Sequence, residues 1–163
     1  MRGLTCAIDA QTPGPNRPTR STDRPDQEDP PLVTASPRAV ELTREAALAA
    51  ADKLADDVLA LDVSEHLVIT DVFLLASAPN DRQVRAIVDG IEERLLKIGA
   101  RPLRREGERA GRWVLLDFGE LVCHVQHAEE REYYALERLW RDCPVVELPE
   151  EVRHPQGAAV HHR

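Results

Sequence analysis

Three aspartates, Asp62, Asp71 and Asp117, lie in or beside segments whose composition is typical of β-strands. Carboxylates paired on a strand can hold Mg²⁺ for phosphoryl or nucleotidyl transfer. Such sites usually place two acids two residues apart and add a glycine-rich phosphate loop. The sequence has no such acid pair in a predicted strand, and it has no GxxxxGKS/T or GxGxxG motif. We therefore expect the acids to serve in caps, turns or partner contacts, and we expect no catalytic site and no cofactor.

A second candidate for chemistry is the group Cys123, His124 and His127. Side chains three positions apart on a strand point to opposite faces, so the two histidines converge only if the strand ends between them. No second pair of ligands lies nearby in the sequence, and we expect no metal site. The chain has three widely spaced cysteines, which favours a reduced, cytoplasmic protein over a disulfide framework.

Basic residues concentrate in residues 101–112, which carry five arginines against two glutamates. This segment could contact RNA, but it contains none of the aromatic side chains that stack on bases, and the first aromatic residue, Trp113, follows its end. A charged edge strand and loop, in which charge discourages pairing with another sheet, is the favoured interpretation. Direct contact with RNA is expected to be small and confined to this loop.

Four aromatic residues, Trp113, Tyr133, Tyr134 and Trp140, lie in or beside the C-terminal elements. Tyr133 and Tyr134 are adjacent, so they cannot both face the same side of a helix. Exposed tyrosine and tryptophan are common anchors of protein interfaces. Two interpretations stay open: a partner-binding surface, or one core tyrosine beside one incidental surface tyrosine.

The elements that would position these residues follow from capping signals and periodicity. Ser36 and Pro37 begin an alanine-rich helix that is predicted to end near Asp57. Asn80 caps a second helix with a clear apolar stripe, which Gly99 ends. Five segments are predicted strands: LALDV, LVITDVFLLASA, PLRRE, RWVLLDF and LVCHVQH. The segment EEREYYALERLWRD is predicted to be the final helix, in which Tyr133, Leu136 and Trp140 have a spacing typical of core residues. This order predicts an α/β (α+β) fold with one mixed sheet of about five strands flanked by helices.

The chain divides into three regions. Residues 1–38 hold seven of the 12 prolines and no aromatic residue, which predicts a disordered leader. Residues 39–150 form the predicted domain and residues 151–163 a flexible tail. The chain has two Lys and 19 Arg, a ratio that indicates GC-rich coding. In such genes GTG also serves as a start codon, and an internal GTG encodes valine, so Val33 is a candidate first residue. No apolar run approaches the roughly 18–20 residues that span a bilayer, and no membrane association is expected.

Three stretches, read in order, resemble the ribosomal silencing factor (Iojap-type) family. They are ITDVFLLASAPNDRQVRAIVD, WVLLDFGELVCHVQ and EEREYYALERLW. The specificity lies in the combined order and spacing of ITD, W-V-x-x-D-x-G, H-V and Y-x-L-E-x-L-W, and the resemblance covers about residues 42–148. Phe118, Glu120 and Cys123 are mild departures from the family pattern.

The resemblance implies a nucleotidyltransferase-like fold without the catalytic acids. It implies binding to the large ribosomal subunit through its protein number fourteen, and obstruction of subunit joining when nutrients are short. Some family members act in large-subunit assembly, and several form homodimers, so both are alternatives or additions here. A nucleotidyltransferase-like enzyme is a further alternative. The motif positions give a candidate partner-binding surface, and Tyr134 and Arg131 are the first candidates for contact. The residues of this surface are Asp71, Trp113, Asp117, His124, Arg131, Tyr133, Tyr134 and Glu137. Gly119 and Trp140 are supporting motif positions, for a backbone turn and for core packing.

The charge distribution agrees with a protein partner. Residues 39–152 carry 14 basic and 24 acidic residues, a net charge of −10. Such a domain is repelled by ribosomal RNA and attracted to a basic ribosomal protein.

Overall fold

The computed structural model describes residues 32–153. Most of the predicted leader and most of the predicted tail lie outside the described residues. The elements are α1 (Pro37–Asp52), β1 (Asp56–Asp62), β2 (Val72–Ala78), α2 (Asp81–Lys97), β3 (Arg104–Glu106), β4 (Trp113–Asp117), β5 (Leu121–His127), α3 (Ala128–Tyr134), α4 (Leu136–Leu139) and α5 (Glu150–Arg153). Among these residues, no helix has the length and apolar content needed to cross a membrane.

The five strands form one sheet in the order β1-β2-β5-β4-β3. The pair β2–β5 is parallel, and the other three pairs are antiparallel. This confirms the predicted mixed sheet. The parallel pair follows from the crossover that carries the chain through α2, whereas β4 and β5 form a hairpin that must be antiparallel.

One face of the sheet is covered by α1 and α2. Helix α1 begins as predicted, because Ser36 Oγ accepts a hydrogen bond from the Ala39 N–H at 3.1 Å and Pro37 follows the cap. In α2 the predicted apolar stripe is buried: Val84, Ile87, Val88, Ile91 and Leu95. Both helices pack on alternate residues of the central strands to form the main core.

Two element boundaries predicted from the sequence are wrong. Helix α1 ends at Asp52 rather than near Asp57, because Leu54 takes a left-handed conformation (φ 60°) and the chain then enters β1. Strand β2 begins at Val72 rather than at Leu67. Val68 and Ile69 have strand-forming side chains but are exposed in the preceding loop, where no neighbouring strand pairs with them.

The second face of the sheet is covered in part by α3, α4 and the chain that follows. A small apolar cluster of Leu61, Val63, Leu75 and Cys143 lies there, with Phe73, Leu136 and Trp140 packed against it. The predicted single C-terminal helix is broken at Ala135, which has φ 43° and separates α3 from α4. The break removes Tyr133 from the predicted core position and leaves it exposed.

The folded part extends beyond the predicted domain limits at both ends. Residues 34–36, assigned to the leader, are held by hydrogen bonds to two aspartates of the domain. Residues 150–153, assigned mostly to the tail, form α5, in which Val152 is buried against the main core. The sequence pattern missed α5 because a four-residue helix has too few positions to show periodicity.

Candidate partner-binding surface

A row of aromatic side chains crosses the second face of the sheet. Tyr133 meets Tyr134 edge to face with ring centroids 5.0 Å apart, and Tyr134 lies 4.9 Å from Trp113. Beyond Trp113 the row continues through His124 and Phe73 to Trp140. We call this set the aromatic face; its members are Phe73, Trp113, His124, Tyr133, Tyr134 and Trp140.

Exposure divides the aromatic face into two parts. Tyr133 is 80% exposed and Tyr134 is 47% exposed, and the neighbouring Leu139 is also exposed. Trp113, Phe73 and Trp140 are half-buried, and Trp113 packs against Tyr134. Large apolar side chains grouped on an open surface are typical of sites that bind another macromolecule. Of the predicted contact residues, the two tyrosines are therefore the most accessible.

His124 holds Trp113 in place. The Trp113 Nε1–H donates a hydrogen bond to His124 Nδ1 at 3.3 Å, and His124 is only 7% exposed. Burial lowers the pKa of His124 from its ordinary value to about 4, so the ring is neutral at physiological pH. In this structure His124, a predicted contact residue, orients Trp113.

Arg131, predicted as a first candidate for contact, is buried. Its Nη1 donates to the Asp57 backbone oxygen at 2.8 Å, and its Nε lies 3.4 Å from Glu137 Oε2. These bonds tie α3 to β1 and to α4. Glu137, also a predicted contact residue, is half-buried and takes part in this internal pair.

Asp71 and Asp62 hold the chain that precedes α1. Asp71 Oδ2 accepts from the Ser36 N–H at 3.0 Å. Asp62 Oδ2 accepts from the Ala35 N–H at 2.8 Å, and its Oδ1 accepts from the Ser64 hydroxyl. Burial alone raises the pKa of Asp62, but the hydrogen bonds from Ser64, Ala35 and Thr34 outweigh it and lower that pKa. Both carboxylates thus have a structural role, because they bind the backbone that precedes α1.

Asp117 is occupied at the β4–β5 turn. Its Oδ1 accepts from the Gly119 N–H at 2.8 Å, and Gly119 has φ 87°, a conformation that favours glycine. Its Oδ2 lies 3.5 Å from Arg104 Nη2. Within the described part of the chain, no group of three or more Cys, His, Asp or Glu is arranged to hold a metal ion.

The Cys123, His124 and His127 group is dispersed by the alternation of β5. Cys123 lies in the main core, where burial raises the pKa of its thiol far above the ordinary value. His124 lies on the opposite face. His127 caps α3, because its Nδ1 accepts from the Glu129 N–H at 3.1 Å. These positions give each side chain a separate structural environment.

Acidic neighbours neutralise much of the arginine-rich segment. Arg112 Nη2 lies 2.7 Å from Glu129 Oε2, and its Nε lies 2.9 Å from Glu130 Oε1. Arg105 Nε lies 2.9 Å from Glu92 Oε1 and also contacts Glu108. Arginines paired in this way present little net charge to phosphate groups, which agrees with the interpretation of this segment as a charged edge strand and loop.

The sequence interpretation missed Gln126. It lies on β5 beside His124 on the same face, and it is completely buried. The alternation of LVCHVQH contains the signal, because it places two polar residues on the face opposite Cys123 and Val125.

Fold and site together define a class: a small mixed-sheet α/β domain with an open aromatic face and acids engaged in structural hydrogen bonds. A family model described as "Ribosomal silencing factor during starvation" matches residues 36–163. The chain belongs to this ribosomal silencing factor family.

Named relatives agree with this assignment. The chain is 43% identical to the ribosomal silencing factor RsfS of Bacillus subtilis over 103 residues, which cover 63% of this chain and 87% of that protein. It is 34% identical to mouse mitochondrial assembly of ribosomal large subunit protein 1, over 53% of this chain and 39% of that protein. A crystal structure of a protein from Bacillus halodurans matches with a TM-score of 0.59 and 40% identity, covering 66% of this chain and 98% of the other.

Proposed function

We propose that this protein is a translational repressor that binds the large ribosomal subunit in the cytoplasm through its protein number fourteen. Bound there, it occupies a surface that the small subunit must reach, and subunit joining stops under nutrient limitation. The name of the Bacillus subtilis relative supports the silencing role. Because the effect is steric, it needs no catalytic group.

The observation that carries this proposal is the exposed pair Tyr133 and Tyr134, supported by Trp113 on an otherwise acidic domain. Aromatic anchors with an acidic surround suit a basic protein surface. The same surround disfavours the phosphates of ribosomal RNA. Protein number fourteen as the partner comes from the family resemblance.

Assembly of the large subunit is a second candidate function. The name of the mouse mitochondrial relative favours it. Silencing and assembly would use the same docking surface, so a variant of that surface would impair both. The phenotype of a deletion strain distinguishes the two functions. Accumulation of precursor ribosomal RNA during rapid growth would favour assembly, whereas normal subunits with unrestrained translation during starvation would favour silencing.

A tyrosine substitution tests the docking surface. We expect Tyr134→Ala to weaken the affinity for large subunits, measured by co-sedimentation, by ~30-fold or more, since removal of an interface anchor costs ~2 kcal/mol or more. The midpoint of thermal unfolding should change little because Tyr134 is 47% exposed. Leu96→Ala is the matched control: Leu96 is 49% exposed on α2, which covers the other face of the sheet.

Two results would contradict the proposal. One is a wild-type protein that stays in the ribosome-free fraction during starvation. The other is a Tyr134→Ala variant that loses its cooperative unfolding transition, which would assign Tyr134 to the core.

A further inference from the structure

An open cleft of about 580 Å³ lies between the start of β1 and the helices α3 and α4. We call it the β1–α3 cleft. A cleft of this size holds a long side chain together with the backbone that carries it, and it falls in the range of ligand sites in proteins. The charged residues that line it are Asp56, Asp57, Arg131, Glu132, Glu137 and Arg138.

Arg131 is the most buried charged residue of the β1–α3 cleft, at 7% exposed. Its Nη1 donates to the Asp57 backbone oxygen, and its Nε lies 3.4 Å from Glu137 Oε2. Its Nη2 has no hydrogen-bond partner among the residues that the structure describes. Because a guanidinium carries five N–H donors, this buried cation keeps donors available in the cleft for an acceptor oxygen.

The outer part of the cleft is acidic. Asp56, Asp57 and Glu132 are exposed, and their carboxylates form no ion pair within the described part of the chain. Glu137 offsets the charge of Arg131, and Arg138 is the remaining cation of the lining. Three carboxylates against one guanidinium leave this rim with a net negative charge, which attracts a cationic group.

The β1–α3 cleft is continuous with the exposed tyrosines. Glu132 and Ala135 line the cleft, and they flank Tyr133 and Tyr134 directly in the chain. Consecutive Cα atoms lie about 3.8 Å apart, so one short helix carries both the tyrosines and one wall of the cleft. A partner seated on the tyrosines therefore lies beside the mouth of the cleft.

We propose that the β1–α3 cleft receives a lysine or arginine residue of the protein partner. The cationic side chain pairs with the carboxylates of the rim, and the peptide oxygen of the same residue accepts from Arg131 Nη2. A phosphate group of RNA would have to pass three carboxylates to reach Arg131, which makes it the disfavoured occupant. This inference rests on the proposed function, since it concerns how that partner is held.

The test is the double variant Asp56→Asn with Asp57→Asn, and the matched control is Asp89→Asn with Glu93→Gln. Each double variant removes two negative charges, but Asp89 and Glu93 are exposed on α2, which covers the other face of the sheet. Asparagine keeps the size of aspartate and tolerates the left-handed conformation of Asp57, whose φ is 46°. The backbone oxygen that binds Arg131 also remains, so the thermal midpoint should not change.

Affinity for isolated large subunits is measured by co-sedimentation at low and at high salt. We expect the cleft variant to bind ~10-fold or more weakly at low salt, because charge-assisted hydrogen bonds are lost. The control should lose less than ~3-fold, since only the general attraction of an acidic domain is reduced. The affinity of the cleft variant should also depend less on salt than that of the control.

The other outcomes overturn the inference. Equal losses in the two double variants would mean that net charge alone acts, and tighter binding by the cleft variant would mean that the cleft faces phosphate. Wild-type affinity in the cleft variant would place the cleft outside the interface, although the proposed function stands. If the wild-type protein does not bind large subunits, the proposed function fails and this inference fails with it.

Glu132→Gln keeps the test decisive if the cleft variant unfolds at a lower temperature. Glu132 is exposed on α3 and forms no ion pair within the described part of the chain, so its substitution leaves β1 intact. We expect a several-fold loss of affinity at an unchanged thermal midpoint. Unchanged affinity in this variant would overturn the inference.

Discussion

At the scale of single residues, Arg131 and Tyr134 show how one short helix serves two purposes. They lie three positions apart on α3, yet Arg131 is 7% exposed and Tyr134 is 47% exposed. The guanidinium fastens α3 to Asp57 of β1, and this attachment fixes the point from which Tyr134 projects. Arg131 is thus a positioning residue for the proposed surface.

The burial of Arg131 makes its removal costly. We expect Arg131→Met, which keeps the aliphatic bulk, to lower the free energy of unfolding by ~2–3 kcal/mol, because the Asp57 carbonyl and Glu137 lose a charged donor. Denaturant titration measures this change. Arg138→Met is the control. Arg138 borders the surface cleft that Arg131, Asp57 and Glu137 also line, but it is exposed. Equal losses in the two variants would mean that the internal bonds of Arg131 contribute nothing.

Motif matching identified these residues without distinguishing contact from packing. That at least one of Tyr133 and Tyr134 lies at the surface was predictable, because adjacent helical residues cannot share one buried face. The exposure of both was not predictable, since the spacing with Leu136 and Trp140 placed Tyr133 in the core. The burial of His124 and Arg131 was not predictable, since it depends on the distant partners Trp113 and Asp57. Gln126 was missed for the same reason: its environment is created by three strands that meet only in the folded sheet.

At the scale of elements, capping signals determined which boundaries could be predicted. Helix α2 agrees with its prediction because Asn80 accepts from the Gln83 N–H at 2.8 Å at its start and Gly99, with φ 83°, follows its end. The break at Ala135 carries no such signal. It allows Leu136 and Trp140 to reach the apolar cluster on the second face, which is a tertiary effect that overrides helix propensity.

The attachment of residues 34–36 to the domain should depend on pH. The lowered pKa of Asp62 means that its ionised form is favoured in the folded state. Its contribution to stability is therefore present above the unfolded value of about 3.9 and is lost as the pH falls through the lower folded value. We expect the thermal midpoint of the wild-type protein to fall below about pH 4.

Asp62→Asn separates this contribution from general acid unfolding. The variant should be less stable than the wild-type protein at neutral pH, and its midpoint should depend less on pH in the acidic range. Asp142→Asn, at an exposed position, should leave the wild-type profile intact. A steep acidic profile retained in Asp62→Asn would assign the loss of stability to other carboxylates.

At the scale of the whole molecule, the net charge of −10 over residues 39–152 should govern association with a basic partner. We expect affinity for large subunits to fall as ionic strength rises from about 0.05 to about 0.3 M, because salt screens the attraction. Binding that is unchanged by salt would instead indicate docking through apolar contacts alone.

Charge reversal at two sites shows where on the surface the attraction acts. The two variants are Glu132→Lys and Glu93→Lys. Glu132 lies on α3 next to Tyr133, Glu93 lies on α2, and both glutamates are exposed. Each variant changes the net charge equally. We expect a several-fold loss of association rate for Glu132→Lys and a smaller loss for Glu93→Lys, measured by stopped-flow mixing with large subunits.

The position of β5 in the sheet also sets the order of assembly during synthesis. β5 lies between β2 and β4 and is the last of the five strands to be made. Until residues 121–127 have emerged from the exit tunnel, the inner edge of β2 has no neighbour, and β4 cannot join the rest of the sheet. Tyr134 emerges later still. The nascent chain therefore completes the proposed docking surface only after all five strands have been made.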